Sequence, residues 1–513
     1  MKDVSKSLTD LLGVEYMSAV TECATALYGL DAQVADRLAN EPVRFCDRAS
    51  QDRQDGLLER TGTQFTHAFH NANIGAPTLS FGRAANLKAA PLGGIGIFRL
   101  GEDGKLYIAA KSEHYHTSLG HNFGGYRLIN NARSLGITNA THNNTRGYIT
   151  RLMEREVVRN TNGIAKGDDA ALEAILQSRE PKVLNRIINL ETGSLAVEAG
   201  MKMMLNRFYR LDNTFGKPLH EGKTPVFLVM ADNDGGLEAN YHGTTIVAQT
   251  LRGMWPELLQ AFEKSGIYKV VSVRKNDAAD FERKIKRYNQ GSFKTAGFMH
   301  EIILMNYGGI RLTEDYLKAA YRLCREYDTP TMVDEIQSCM WYKGMFLYKL
   351  YHLDPDFVIL GKGFPGGEYP ASKVITSYEM DGLNLFGALV TNGQEELASL
   401  AYLITMEFAQ ENADEIERLG AYFASHLKIL AVDYPSMVDK IEGQGHLAAI
   451  HFMTVEMAAK FAKIMNNHCI DVSAQTYKAN CPPAALMKLP LITSEKAMDY
   501  LIAKIRETID TLA

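Results

Sequence analysis

The alternation of apolar and polar positions changes character along the chain. Between about 170 and 395, short apolar runs recur with amphipathic stretches between them. The runs are Val226–Met230, Lys269–Val273, Gly297–Met305, Thr331–Val333, Phe357–Leu360 and Lys373–Thr376, each of a length that suits a buried strand. Phe281–Tyr288 and Tyr316–Tyr327 carry their apolar residues at helical spacing. This alternation predicts an α/β sheet covered by helices on both faces. From about 396 the pattern lengthens. Helices are predicted over Glu396–Gln410, Ala413–Leu430 and Ser494–Thr511, with a strand over His446–Met453, which together make an α+β unit of their own. The first part of the chain is more mixed. It has helical spacing over Val14–Leu38, a charge-rich stretch at Asp47–Arg60, and short strands and turns from Gly93 to about Tyr126.

Composition narrows the class. A chain of 513 residues that is 46% hydrophobic and 22% charged can bury a large core without disulfides or a structural metal. A net charge of −5 is too mild to point to nucleic acid or a membrane surface as the main partner. The cysteines (Cys23, Cys46, Cys324, Cys339, Cys469 and Cys481) are scattered with no C-x-x-C pair, which suits a reducing cytoplasm. The start of the sequence does not read as a signal peptide, and no apolar run approaches the roughly 18 residues of a membrane helix. A cytoplasmic protein is expected.

Three stretches could carry chemistry. Thr192-Gly193-Ser194 precedes Leu195–Arg210, where Val197, Met201, Met204, Leu205 and Phe208 share one helix face. It would sit at a helix start, where free N–H groups favour an anion such as phosphate, although a plain N-cap has the same letters. Met332-Val333-Asp334-Glu335-Ile336-Gln337 runs from a strand into two acids. An acid there faces the usual ligand crevice of an α/β sheet, or else is a solvated strand end. In Phe357–Pro370 a strand ends in Lys362 among glycines and prolines. A lysine just past a buried strand can have its pKa lowered, as an amine nucleophile requires; a loop lysine at the surface is the alternative.

Other patterns fail on context. Gly361-x-Gly363-x-x-Gly366 spells a dinucleotide motif, the basis of an alternative nicotinamide-dependent oxidoreductase, but Pro365 and Pro370 oppose the helix it must open. Gly222-Lys223-Thr224 resembles the end of a phosphate loop, yet position 217 is lysine and Pro225 opens a strand. His114, His116 and His121 lie close together without a carboxylate or cysteine pattern of ligand spacing, so no metal is assigned.

Taken in order, Thr192-Gly193-Ser194, Tyr241-His242-Gly243, Asp334-Glu335-Ile336-Gln337, Lys362 with Gly366-Gly367 and Pro370, and then Thr391 resemble the class III (ornithine/4-aminobutyrate type) pyridoxal-phosphate aminotransferases of fold type I. The resemblance covers roughly residues 90 to 513. It implies a large, mixed but mostly parallel sheet domain over 170–395 and a smaller C-terminal α+β domain over 396–513. Ahead of them would lie a segment of strands and a substrate-side loop over 86–169, and an extension of unknown role over 1–85.

The resemblance further implies transfer of an amino group between an amine or amino acid and an oxo acid, through an aldimine on Lys362. The same scaffold also supports decarboxylation, racemisation and intramolecular amino shifts. Asp334 would pair with the pyridinium nitrogen, Gln337 would reach the ring hydroxyl, and Tyr241 and Ile336 would flank the ring. His242 belongs to the same cofactor set, and Thr192, Gly193 and Ser194 would hold the phosphate. The residue matching Thr391 crosses to the neighbouring subunit's phosphate in the family, which implies a homodimer with shared sites. Leu195, Thr244 and Ser338-Cys339 depart from the family pattern. In Leu486–Leu491, where members often carry an arginine near the substrate carboxylate, this chain has Lys488. Arg146 is a second candidate for that carboxylate.

Overall fold

The computed structural model describes residues 1–69, 74–111, 116–231, 241–475 and 482–512. Among these residues seven strands form the central sheet: β1 (Leu184–Leu190), β2 (Thr224–Ala231), β3 (Lys269–Arg274), β4 (Phe293–His300), β5 (Thr331–Asp334), β6 (Phe357–Leu360) and β7 (Ser372–Ser377). Their spatial order is β1-β7-β6-β5-β4-β2-β3. Neighbours from β6 to β3 run parallel, whereas β7 is antiparallel to both β6 and β1. The parallel strands read as near-continuous apolar runs because helices cover both faces. The link from β6 to β7 holds turns, glycines and prolines in place of a crossover helix, so the chain can only return antiparallel.

Two expectations change. The run Gly297–Met305 is not one strand. β4 ends at His300, and Ile303–Leu304 pairs instead with Ile310–Arg311 in a separate hairpin. The run is apolar throughout because Ile302 to Met305 enter the core by this second route. The expected helix over Val14–Leu38 is two helices, Val14–Tyr28 and Ala32–Asn40. Gly29 closes the first in the left-handed region at φ 66°, and Asp31 caps the second by accepting from the N–H groups of Gln33 and Val34.

Helix α1 (Gly193–Leu205) follows β1 and packs on β6 and β7 through its buried Ala196, Val197 and Met204. It stops before the expected Arg210, where Asn206 caps its end and donates to the Gly382 carbonyl at 2.6 Å. Farther on, α2 (Glu396–Glu411) is buried almost all round, and α3 (Ala413–Asp433) leads to an antiparallel sheet. Its strands are β8 (Val438–Gln444), β9 (Leu447–Phe452), β10 (Ser473–Ala474) and β11 (Ala484–Lys488), in the order β8-β9-β11-β10. Phe423, Ile450, Phe461, Leu501 and Ile505 sit in a core of its own. The start of the chain joins the main core. Val4, Leu8 and Leu12 are buried there, and Lys6 pairs with the buried Glu407 of α2 at 2.7 Å.

Candidate active site

The carboxyl ends of parallel strands form the crevice where α/β sheets bind ligands. Here the ends of β1, β4, β5 and β6 deliver Glu191 to Ser194, Glu301, Asp334 and Lys362 to one cleft of about 430 Å³. Tyr241, His242, Ile336 and Gln337 also line it.

Asp334 is buried, and both its carboxylate oxygens are held. Oδ1 accepts the Ile336 N–H at 3.0 Å, and Oδ2 accepts from His242 Nδ1 at 2.9 Å. These two bonds fix the orientation of the carboxylate on the cleft wall. Glu335, next in the chain, points the opposite way and is fully buried. Its carboxyl accepts from the Tyr348 N–H at 2.6 Å and from the Ser338 hydroxyl, and burial pushes its pKa up to about 7. Gln337 is buried too, and its carboxamide Oε1 has no hydrogen-bond partner.

Thr192 caps α1, its hydroxyl accepting the Ser194 N–H at 3.1 Å. The Ser194 hydroxyl in turn accepts the Thr244 N–H at 3.0 Å. Gly193 faces Ile336 so closely that a Cβ would stand 2.3 Å from Ile336 Cδ1. The Arg252 guanidinium lies over the Tyr241 ring at 5.0 Å.

Lys362 stands two residues past the end of β6 and adopts φ 42°, a left-handed conformation that lysine rarely takes. Such backbone strain costs on the order of 1 kcal/mol and persists where the surroundings over-determine it. Burial lowers the amine pKa below its ordinary value, while Glu301 and Asp334 pull it back up. Beyond Lys362 the chain runs in turns and opens no helix, so the Gly361–Gly366 pattern is not a dinucleotide loop. Gly366 instead sits at φ 65° against the Tyr126 hydroxyl.

Other expected residues lie elsewhere. Arg146 lies outside this cleft, lines a second cavity with Asn189 and Gln394, and is ion-paired with Glu154. Lys488 is also not on the cleft wall. It is fully buried, donates to the Gln337 carbonyl at 2.5 Å and covers the Trp341 ring at 3.7 Å, so its head group faces protein rather than substrate. Thr391 is exposed, in a turn whose next residue, Asn392, donates its N–H to Glu191 at 3.0 Å. His114 and Cys481 lie outside the described residues, while His116 lines the cleft. Sequence reasoning missed Glu301. Its signal was available as an acid at the end of an apolar run, but reading Gly297–Met305 as one strand hid that end.

The sequence model of the family "Aminotransferase class-III" matches residues 125–509. Acetylornithine aminotransferase of Clostridium acetobutylicum is 29% identical over 289 residues, 55% of this chain and 66% of that protein. Ornithine aminotransferase of Saccharomyces cerevisiae is 25% identical over 339 residues, 64% of this chain and 76% of its own. Among solved structures, adenosylmethionine-8-amino-7-oxononanoate aminotransferase from Methanocaldococcus jannaschii superposes with a TM-score of 0.66 at 21% identity, covering 86% of this chain and 97% of that one. The fold is therefore that of the fold type I aminotransferases.

Proposed function

The chain belongs to the class III aminotransferases, and from that membership we propose that it binds pyridoxal phosphate in the β4–β5–β6 cleft and moves an amino group between an amine or amino acid and an oxo acid. One observation carries the reading: the desolvated Lys362 amine and the buried Asp334–His242 pair share a single cleft.

The residues fit that cofactor in kind. A buried carboxylate suits a protonated ring nitrogen, and the unpartnered Gln337 Oε1 is an acceptor waiting for a ring hydroxyl. The start of α1, with Gly193 clear of a side chain, suits a phosphate. Tyr241 and Ile336 offer the two flat walls.

When bound, pyridoxal phosphate supplies an electron sink for negative charge on a substrate carbon. The chain's own residues do the rest. Asp334 keeps a proton on the ring nitrogen, and His242 keeps Asp334 aimed. The lowered pKa of Lys362 raises the neutral fraction of its Nζ, and a neutral Nζ can act as nucleophile and then as base, taking a proton from the substrate carbon and returning it.

The reading includes a homodimer and a cytoplasmic location. Thr391 is exposed, and earlier in the same stretch Leu385 and Phe386 are exposed apolar residues, Phe386 at 82%, which supports a subunit contact by this stretch. Scattered cysteines, with no disulfide among the described residues, support a reducing compartment. No helix among the described residues is long and apolar enough to cross a membrane.

The test is near-visible absorbance after incubation with pyridoxal phosphate, followed by borohydride and mass spectrometry. The wild type is expected to yellow, bleach and retain the cofactor mass on the peptide holding Lys362; Lys362→Ala is expected to retain none. A wild type that stays colourless sinks the proposal.

A further inference from the structure

The C-terminal sheet is tied to the segments that carry the cofactor cleft. The Lys488 N–H at the end of β11 donates to the Ala110 carbonyl at 2.9 Å, and the Leu491 N–H donates to the Ser118 carbonyl at 2.8 Å. These two stretches together reach both turns that carry the site. The Ser118 hydroxyl donates to the Gly363 carbonyl at 2.6 Å, one residue beyond Lys362. The Lys488 Nζ donates to the Gln337 carbonyl at 2.5 Å. Trp341 fills the space between, its indole N–H on the Leu489 carbonyl at 2.8 Å and its ring so close to Gly363 that a Cβ there would stand 2.3 Å away.

We infer that Lys488 is a positioning residue: it grips the Gln337 peptide carbonyl and thereby fixes where the Gln337 carboxamide points into the cleft. The inference rests on reading that cleft as a cofactor site. Lys488 is fully buried at a strand end, a costly place for an amine that serves only as filler. The nearby Lys362 amine adds to that cost, while the ring face of Trp341 at 3.7 Å and the carboxylate of Glu301 offset part of it. On the other side of the gripped peptide, Gln337 Oε1 is buried with its acceptor capacity unused. A carboxamide in that state holds one direction only if its backbone is fixed, and Lys488 supplies that fixing. The side chain thus braces a cofactor ligand and does not itself meet the substrate.

The test is a double-mutant cycle on cofactor affinity and absorption maximum, with circular dichroism to verify the fold. Lys488→Met keeps the stem and removes the donor. It is expected to raise the Kd for pyridoxal phosphate about tenfold, the scale of one buried hydrogen bond. Gln337→Ala is expected to raise it similarly and to move the absorption maximum in the same direction. The double variant should then be little worse than Gln337→Ala alone, because no carboxamide remains to be aimed. Two full effects that multiply, or an unchanged Kd in Lys488→Met, overturn the inference. If Lys488→Met does not fold, Lys488→Leu, which also lacks a donor, takes its place in the cycle, and the same two results overturn the inference. A wild type that fails to bind the cofactor sinks the functional reading; a failure confined to the cycle sinks only the role of Lys488.

Discussion

Glu335 offers a prediction that joins stability to the architecture of the site. Its carboxyl is buried directly behind Asp334, and burial raises its pKa to about 7 from an ordinary value near 4.5. Between those values the folded chain holds a proton that the unfolded chain releases, so stability falls as pH rises from 4.5 to 7. The gap of about 2.5 corresponds to roughly 3 kcal/mol at most, since one pKa unit is about 1.4 kcal/mol. Glu335→Gln keeps the shape and an acceptor for the Tyr348 N–H while removing the ionisable group. Against the wild type, the variant should be close to neutral or slightly destabilising at about pH 5 and should gain up to roughly 3 kcal/mol in relative stability by about pH 8. Urea unfolding at half-unit pH steps measures the difference directly. A wild-type-to-variant difference that stays flat across that range would refute the reasoning, because it would mean that Glu335 ionises alike in the folded and unfolded chain.

Further perturbations separate the cleft from its surroundings. Glu301→Gln removes a carboxylate that raises the Lys362 amine pKa, so the pH midpoint of the Lys362-linked absorbance change should move downward; a shift upward would contradict the assigned electrostatics. Gly193→Ala sets a methyl against Ile336 and should weaken pyridoxal phosphate binding by about tenfold, with overpacking of about 1–3 kcal/mol only partly offset by the better helix propensity of alanine. Equilibrium titration reads that change, and an unaltered Kd would show that Ile336 moves aside freely. Arg146→Ala removes the partner of Glu154 and should cost about 1 kcal/mol or less in unfolding free energy, with Michaelis constants for carboxylate substrates unchanged. A rise in those constants would return Arg146 to the substrate.

Much of the central sheet was legible because β2, β3, β5 and β6 are largely buried on both faces and so read as plain apolar runs. β1 was not legible. Asn185, Arg186 and Asn189 interrupt Leu184–Leu190, and the sequence does not show that Asn185 Nδ2 donates to the Ile175 and Ser178 carbonyls. The approach to the cleft was legible where a strand end coincides with a change of texture, as at Asp334 and Lys362. It failed at Glu301, where apolar residues continue past the end of the sheet. Arg146 and Lys488 show a different limit. A cation can be picked out in a sequence, but its partner is set by tertiary packing, and here those partners are Glu154 and the Gln337 carbonyl.

The place of β1 in the sheet also governs when the cleft can come into being. Within the sheet β1 pairs with β7 alone, Leu190 opposite Ser372, so α1 and its Thr192–Ser194 turn hang from a strand made far later in synthesis. A ribosome adding roughly 5–20 residues per second leaves that turn without its sheet partner for on the order of ten seconds or more. Throughout that interval the apolar face of α1 has neither β6 nor β7 to cover it. The nascent chain therefore carries an adhesive segment until the same stretch that brings Lys362 has emerged, and capture of a phosphate-bearing ligand becomes one of the last events of folding.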